Sequence, residues 1–272
     1  MSDRLRAKDN FFRIAFIGDD ERTKSWHQAF HTPMTTSMVI KPDDDVQMMV
    51  DWGPNAVMIC QHDDLDRLIP ELVPVINGLI IIKPTLSPEQ AALLVSRDRK
   101  VVYCPDLTPA TNDAVSIHHP HLMIAGGDPE SLQHLEQLIF GMSKIVPCKF
   151  LRMTGTEAAF VKLGIDSYLA TKVTFFNQIH NLVSRVGGSP LSVTRAMASD
   201  HRVNINHTTV PGYDNRPGYG ESLGNSVEML TDFAYNKDTE TSNLSLLEEV
   251  TKINNDLRGI TDVDNGQAEE EQ

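Results

Sequence analysis

Six short runs of apolar, largely β-branched residues alternate with helix-patterned stretches over the first half of this chain, and that alternation constrains the fold more than any motif. The runs are Arg13-Ile-Ala-Phe-Ile17, Ser37-Met-Val-Ile40, Ala56-Val-Met-Ile-Cys60, Gly78-Leu-Ile-Ile-Ile82, Val101-Val-Tyr-Cys104 and His121-Leu-Met-Ile-Ala125. Helical patterns lie between them near 21–30, 44–51, 64–76 and 88–96, followed by a helix near 129–142 and a strand near 147–152. Continuous apolar runs suit strands covered on both faces, and connections long enough to hold a helix suit parallel neighbours. The expectation over residues 1–153 is an α/β domain: a doubly wound parallel sheet with helices on both faces.

The pattern changes after Met153. Thr154-Gly-Thr-Glu157 reads as a capping box, and apolar residues recur at helical spacing until Gly187-Gly188. A helix of that extent is roughly 50 Å long at 1.5 Å per residue. Phe160, Ile165, Phe175, Phe176, Ile179, Leu182 and Val183 nearly encircle it, which predicts burial against the first domain and against a second copy of the chain. A short helix near 190–199, a Gly/Pro/Asn-rich loop near 203–225 and helices near 226–236 and 243–257 complete a helical dimerisation domain, 154–258. The stretch 259–272, ending Ala-Glu-Glu-Glu-Gln, has the composition of a solvated, disordered tail.

Charge and composition exclude several classes. A formal net charge of -13 over 272 residues argues against nucleic acid or an anionic membrane as partner. No apolar run approaches the roughly 20 residues that span a bilayer, and the polar start Met1-Ser-Asp-Arg has no secretory core, so a cytoplasmic location is expected. The three cysteines, Cys60, Cys104 and Cys148, are far apart and sit in or beside apolar runs, as reduced core thiols do. His118-His-Pro-His121 is poor geometry for a tetrahedral metal and reads as a loop cluster, so no metal is expected.

Five further segments, in order, resemble the UDP-glucose/GDP-mannose dehydrogenase family. Ile82-Lys-Pro-Thr85-Leu-Ser-Pro88 is similar to its strand-end S-T-V-P segment. Tyr103-Cys-Pro-Asp-Leu-Thr-Pro109 and His121-Leu-Met-Ile-Ala-Gly-Gly127 are similar to its P-E-F-L segment and a later strand ending in Gly-Gly. Lys162-Leu-Gly-Ile-Asp166 through Asn177-Gln is similar to its long helix, and Ser199-Asp-His-Arg202-Val to the D-x-R-I before its active-site loop. The resemblance implies a Rossmann-like domain and a helical dimerisation domain. It implies NAD as oxidant for two oxidations of a sugar alcohol, through a cysteine-bound thiohemiacetal and thioester.

The residues that would carry that chemistry depart from the pattern. A dinucleotide fold uses Gly-x-Gly-x-x-Gly so that the pyrophosphate meets bare backbone at a helix N-terminus. Here the run is Gly18-Asp-Asp20-Glu-Arg-Thr23, so Gly18 and Thr85 remain as cofactor-site remnants, while Asp20 sets a carboxylate where an anion would lie. The second strand ends Ile40-Lys-Pro, without the acidic residue that holds the adenosine ribose. In the active-site loop Gly218-Tyr-Gly220 keeps the turn, Glu221 replaces a glycine, Leu223 the catalytic cysteine, Ser226 the lysine and Val227 the aspartate. No Cys or Lys lies between Phe176 and Lys237, so a shift of alignment restores neither. Lys162 matches a lysine that would stabilise an oxyanion, but Asp166 stands where the family has asparagine, and the two could instead pair at i,i+4. Arg202 matches an arginine that reaches the substrate across the dimer. Substrate contacts, if any survive, would fall on Lys162, Arg202, Gly218, Tyr219 and Gly220. The glutamate expected after the P-E-F-L segment is missing from Asp106-Leu-Thr-Pro-Ala-Thr111, and the chain ends about where the family's nucleotide-gripping second α/β domain would begin.

The expectation is a catalytically inactive, dehydrogenase-like protein with a binding, regulatory or structural role. It would be a homodimer through the long helix, with an unidentified protein partner and no cofactor. Two alternatives stay open. One is an NAD-dependent oxidoreductase of the same type with altered chemistry at Lys162, Thr85 and a water; the other is a subunit of a larger, viral or multi-subunit assembly.

Overall fold

The computed structural model describes residues 11–107, 114–212, 214–236 and 244–260. By its contacts the chain divides into two units, Met1–Lys162 and Leu163–Gln272.

The first unit alternates strand and helix: β1 (Phe12–Ile17), α1 (Glu21–Ala29), β2 (Thr35–Ile40), α2 (Val46–Trp52), β3 (Ala56–Ile59), α3 (Leu65–Leu72), β4 (Leu79–Ile82), α4 (Pro88–Ser96), β5 (Val101–Tyr103), α5 (Ala114–His118), β6 (Leu122–Gly126), α6 (Pro129–Met142) and β7 (Lys149–Met153). The strands form one sheet in the order β2-β1-β3-β4-β5-β6-β7. Side chains of a strand point alternately to its two faces, and the core follows that period. Ile17, Val57, Ile59, Ile80, Ile82 and Tyr103 pack on one face with residues of α2, α3 and α4. Ile14, Phe16, Met58, Ile81 and Val102 pack on the other with Trp26 and Ala29 of α1 and Leu135 and Ile139 of α6. Asp20, Asp45, Asp64, Ser87 and Asp128 each accept a backbone N–H as the cap of the helix that follows, which fixes where α1, α2, α3, α4 and α6 begin.

The sheet is not parallel throughout. β6 runs antiparallel to β5, with Tyr103 opposite Gly126, and β7 then runs parallel to β6. An antiparallel neighbour needs no crossover of the sheet, unlike the parallel pairs before it, and α5 lies in the β5–β6 connection. The five-residue α5 within it carries no periodicity by which the sequence would reveal it.

Helix α7 (Gly155–Arg185) opens with the expected capping box. Thr154 Oγ1 accepts from Glu157 N at 3.2 Å, and Glu157 Oε2 accepts from Thr154 N and Thr154 Oγ1, both at 2.8 Å. Its first turns put Ala158 and Ala159 into the core of the first unit. In the second unit α7 is joined by α8 (Pro190–Ala198), α9 (Glu221–Asn236) and α10 (Ser245–Arg258). Ala170, Tyr219, Val227, Leu247 and Val250 form its apolar centre, with Val173, Leu223, Leu230 and Leu244 packed around them. α9 starts five residues before the helix read from the sequence. Gly220, Gly224 and Asn225 are poor helix formers, but burial of Leu223 and Val227 outweighs their propensity. Most of the acidic tail, 261–272, lies outside the described residues.

Candidate functional site

From β1 the chain moves outward to β2 and then crosses back over β1 to β3. Open α/β sheets bind ligands at such a switch point, in the crevice beyond the carboxyl ends of the strands. Here Gly18 closes β1 with φ +144°, and a Cβ on it would lie 2.2 Å from Thr23 Oγ1 and 3.2 Å from Gln61 Cβ. The glycine is retained because Thr23, buried where the dinucleotide pattern asks for its third glycine, packs onto it. Asp20 Oδ1 accepts from Thr23 N at 2.7 Å and from Thr23 Oγ1 at 2.5 Å, so the first turn of α1 carries a carboxylate of its own. A pyrophosphate in the usual pose would meet that carboxylate and the Thr23 side chain instead of bare backbone. These residues therefore do not fit a dinucleotide held in that way.

Deeper in the same unit lies a polar cluster that the sequence did not single out. Trp26 Nε1 donates to Asp106 Oδ2 at 3.1 Å, and Arg22 Nη1 stands 3.5 Å from the same oxygen. Lys83, at the end of β4, holds its Nζ 4.0 Å from the centre of the Trp26 ring and 3.7 Å from Cys104 Sγ. Lys83 and Asp106 are both at least nine-tenths buried; the Trp26 π face beside Lys83, and the Trp26 N–H and Arg22 beside Asp106, offset the cost of desolvating them. Burial also pushes the thiols of Cys60 and Cys104 up, as it does that of the half-buried Cys148. Thr85 follows Lys83 in the half-buried loop before α4. The only available hint was a charged residue at the end of an apolar strand run, and nothing local to Lys83 or Asp106 reveals that Trp26 meets both.

In the second unit Asp166 Oδ2 accepts from Ser226 Oγ at 2.7 Å, with both residues buried. Two positions the family resemblance places in its active site thus meet, but as a donor–acceptor pair facing each other. Lys162, one turn earlier in α7, is also buried. Leu223, at the place of the nucleophile, is packed among the apolar side chains around Tyr219 and Val227. It offers no atom able to hold a carbonyl carbon.

The turn before α9 is pinned by asparagines. Gly218 N donates to Asn177 Oδ1 at 3.1 Å and Tyr219 N to Asn254 Oδ1 at 2.7 Å. Gly218 has φ +78°, and a Cβ there would come within 2.3 Å of Asn254 Oδ1, so the turn admits only glycine. Tyr219 is buried and its hydroxyl reaches Thr251 Oγ1 at 3.4 Å. Asn254 was invisible as a site-shaping residue in the sequence, because its partner lies 35 residues away. Arg202 is directed at Asp200, with Nη2 2.6 Å from Oδ2 and Nε 3.0 Å from Oδ1. The guanidinium beside it holds the Asp200 carboxyl below its ordinary value.

A doubly wound α/β unit followed in sequence by a long helix and further helices is a fold class that solved dehydrogenase structures share. The chain covers 90% of itself and 68% of the UDP-D-ManNAc dehydrogenase of Pyrococcus horikoshii with a TM-score of 0.70 at 16% identity. It covers 91% of itself and 95% of the Mycobacterium tuberculosis 3-hydroxyisobutyrate dehydrogenase with a TM-score of 0.71, again at 16% identity. Within that class the chain is related to the nucleotide-sugar dehydrogenases. Residues 156–256 match the central domain of the UDP-glucose/GDP-mannose dehydrogenase family. The UDP-glucose 6-dehydrogenase of Rickettsia felis is 21% identical over 167 residues, which is 59% of this chain and 36% of that protein. The chain therefore aligns with little more than a third of that relative's length. Among the described residues, no helix is long and apolar enough to cross a membrane.

Proposed function

We propose that the chain is a non-catalytic relative of the nucleotide-sugar dehydrogenases that keeps their fold and turn geometry for a binding, regulatory or structural role. The observation that carries this proposal is Leu223, packed among apolar side chains at the position of the nucleophile. Asp20 and Thr23 add to it, because they fill with side chains the helix start at which NAD would place its pyrophosphate. The role is exercised as a homodimer through α7. Tyr168, Phe175 and Leu182 recur every seven residues along that helix and are 61%, 45% and 59% exposed. An apolar stripe at heptad spacing suits a second helix. The protein is expected in the cytoplasm, free of nucleic acid and membrane.

The test is a thermal-shift screen with NAD, NADP, UDP-glucose, UDP-glucuronate and GDP-mannose, since a ligand that binds only the native state raises Tm even without turnover. A flat response supports the proposal, and micromolar NAD binding by calorimetry would overturn its cofactor part. Light scattering tests the dimer, which Phe175→Asp together with Leu182→Asp should convert to monomer.

A second reading is favoured by the family match over 156–256 and the buried Lys162. On it the chain is an NAD-dependent oxidoreductase with altered chemistry, in which Lys162, Thr85 and a water serve a single hydride transfer. A rise in NADH absorbance with any of these sugar nucleotides would establish it.

A further inference from the structure

The carboxyl ends of the central strands place a lysine between two cysteines. Ile17, Ile59, Ile82 and Tyr103 stand side by side in register across β1, β3, β4 and β5. The next rank is formed by the residues that follow them. Cys60 N donates to Ile17 O at 2.9 Å, Lys83 N to Ile59 O at 2.9 Å and Cys104 N to Ile82 O at 2.8 Å. Cys60, Lys83 and Cys104 therefore succeed one another on adjacent strands.

We propose that Cys104 and Lys83 are an oxidative modification site, at which a hydroperoxide joins Cys104 Sγ to Lys83 Nζ through a covalent sulfur–nitrogen bond. Three observations support it. Lys83 Nζ lies 3.7 Å from Cys104 Sγ and is steadied by the face of Trp26, 4.0 Å from the ring centre. Cys60, the nearest alternative in the rank, is two strands away, about 10 Å at the usual interstrand spacing. A disulfide needs Cα atoms within roughly 7 Å, so Cys60 is no partner for an oxidised Cys104; Cys148, which packs on the same core cluster, is the competing thiol and is removed in the test below. Burial pushes the Cys104 thiol up on balance, and the Lys83 charge and hydrogen bond oppose that rise, so Lys83 is the neighbour that favours whatever thiolate forms.

The chemistry balances with one equivalent of hydrogen peroxide. The Cys104 sulfur attacks a peroxide oxygen, the O–O bond breaks, and a sulfenic acid and one water result. The Lys83 amine, having given up its proton, attacks that sulfur; the S–O bond breaks and the hydroxyl leaves as a second water. Sulfur is oxidised by two electrons and the peroxide is reduced by two. Sulfenic acids condense with nitrogen in this way when one is held beside them, and proximity lets the amine intercept the sulfur before a second peroxide does. The bond would staple the ends of the adjacent strands β4 and β5 until a thiol reductant cleaves it. The proposal is independent of whether the protein is catalytic.

The test uses the full chain with Cys60→Ser and Cys148→Ser, which leaves Cys104 as the single thiol of the chain's three and removes any intramolecular disulfide. After stoichiometric peroxide, mass spectrometry should show a loss of about 2 Da, the two hydrogens surrendered in sulfenamide condensation. Peptide mapping should join Lys83 to Cys104, and dithiothreitol should reverse both signals. Adding Lys83→Arg should abolish the link and leave oxygen on Cys104 instead. Retained oxygen on Cys104 without a link while Lys83 is present would overturn the proposal. So would an unmodified Cys104 at peroxide levels that oxidise the exposed methionines. Both of these outcomes are read in the Lys83-bearing protein, so a folding defect in the arginine variant leaves the test intact.

Discussion

Asp20→Gly is the perturbation that separates a helix start closed to NAD from one that is merely unusual. Asp20 caps α1 through Thr23 N at 2.7 Å. Exchanging such a cap for glycine costs only a few tenths of a kcal/mol, about. A phosphate brought to the same helix end would lie about 4 Å from the carboxylate, where two unit charges repel by roughly 4 kcal/mol at an effective dielectric near 20. Asp20 is exposed, so water and salt screen this to about 1 to 2 kcal/mol, or roughly tenfold in affinity. Asp20→Gly should thus strengthen NAD binding about tenfold at little cost in stability. Adding Thr23→Gly, which clears the atom 2.2 Å from a Cβ at Gly18, should strengthen it further. That second change puts glycine inside α1 at a cost of about 1 kcal/mol, or 2 to 4 °C in Tm. Isothermal titration calorimetry with NAD at low and physiological salt is the assay. The reasoning is refuted if the wild-type chain already binds NAD in the micromolar range, or if Asp20→Gly leaves the affinity unchanged in both salts.

Ser226→Ala removes the donor to a buried carboxylate and should cost about 1 to 3 kcal/mol, seen by calorimetry as a lower Tm; a change under about 0.5 kcal/mol would mean Asp166 does not depend on it. Leu223→Cys restores the nucleophile alone, at about 1 kcal/mol of lost packing, and should leave sugar-nucleotide oxidation at background in an NADH absorbance assay. Turnover in that variant would show that one substitution, and not several, separates this chain from its relatives. The Glu157 carboxyl is held below its ordinary 4.5, first by the Thr154 backbone N–H and then by the Thr154 side chain. The capping contribution is therefore fully present above 4.5 and is lost as pH falls through the lowered value. The Tm difference between wild type and Glu157→Gln should shrink with acidification across that window, and growth of the difference would contradict the capping geometry.

Much of the fold was legible because it follows from local periodicity. The apolar runs that became β1 to β7, the capping box of α7 and its Gly187-Gly188 stop all sit in patterns a few residues long. The antiparallel turn of β6 was not legible, since apolar runs look alike in either direction. The early start of α9 was missed for another reason: Gly220, Gly224 and Asn225 argue against a helix until Leu223 and Val227 find a core. At the candidate site the departures from the family pattern were visible as residue identities. Their consequences were not, because those depend on which side chain each one meets.

The sequence by itself determined that no thiol or amine occupies the loop before α9, and that a carboxylate heads α1. These are facts of composition at a position. Only the tertiary structure decided that Asp166 faces Ser226 across 60 residues, that Trp26 reaches Asp106 across 80, and that Lys83 stands beside Cys104. The physical reason is that capping and periodicity act within a turn or a strand. The pairing of buried polar groups is set by strand order and helix packing, which bring together residues that no local pattern relates.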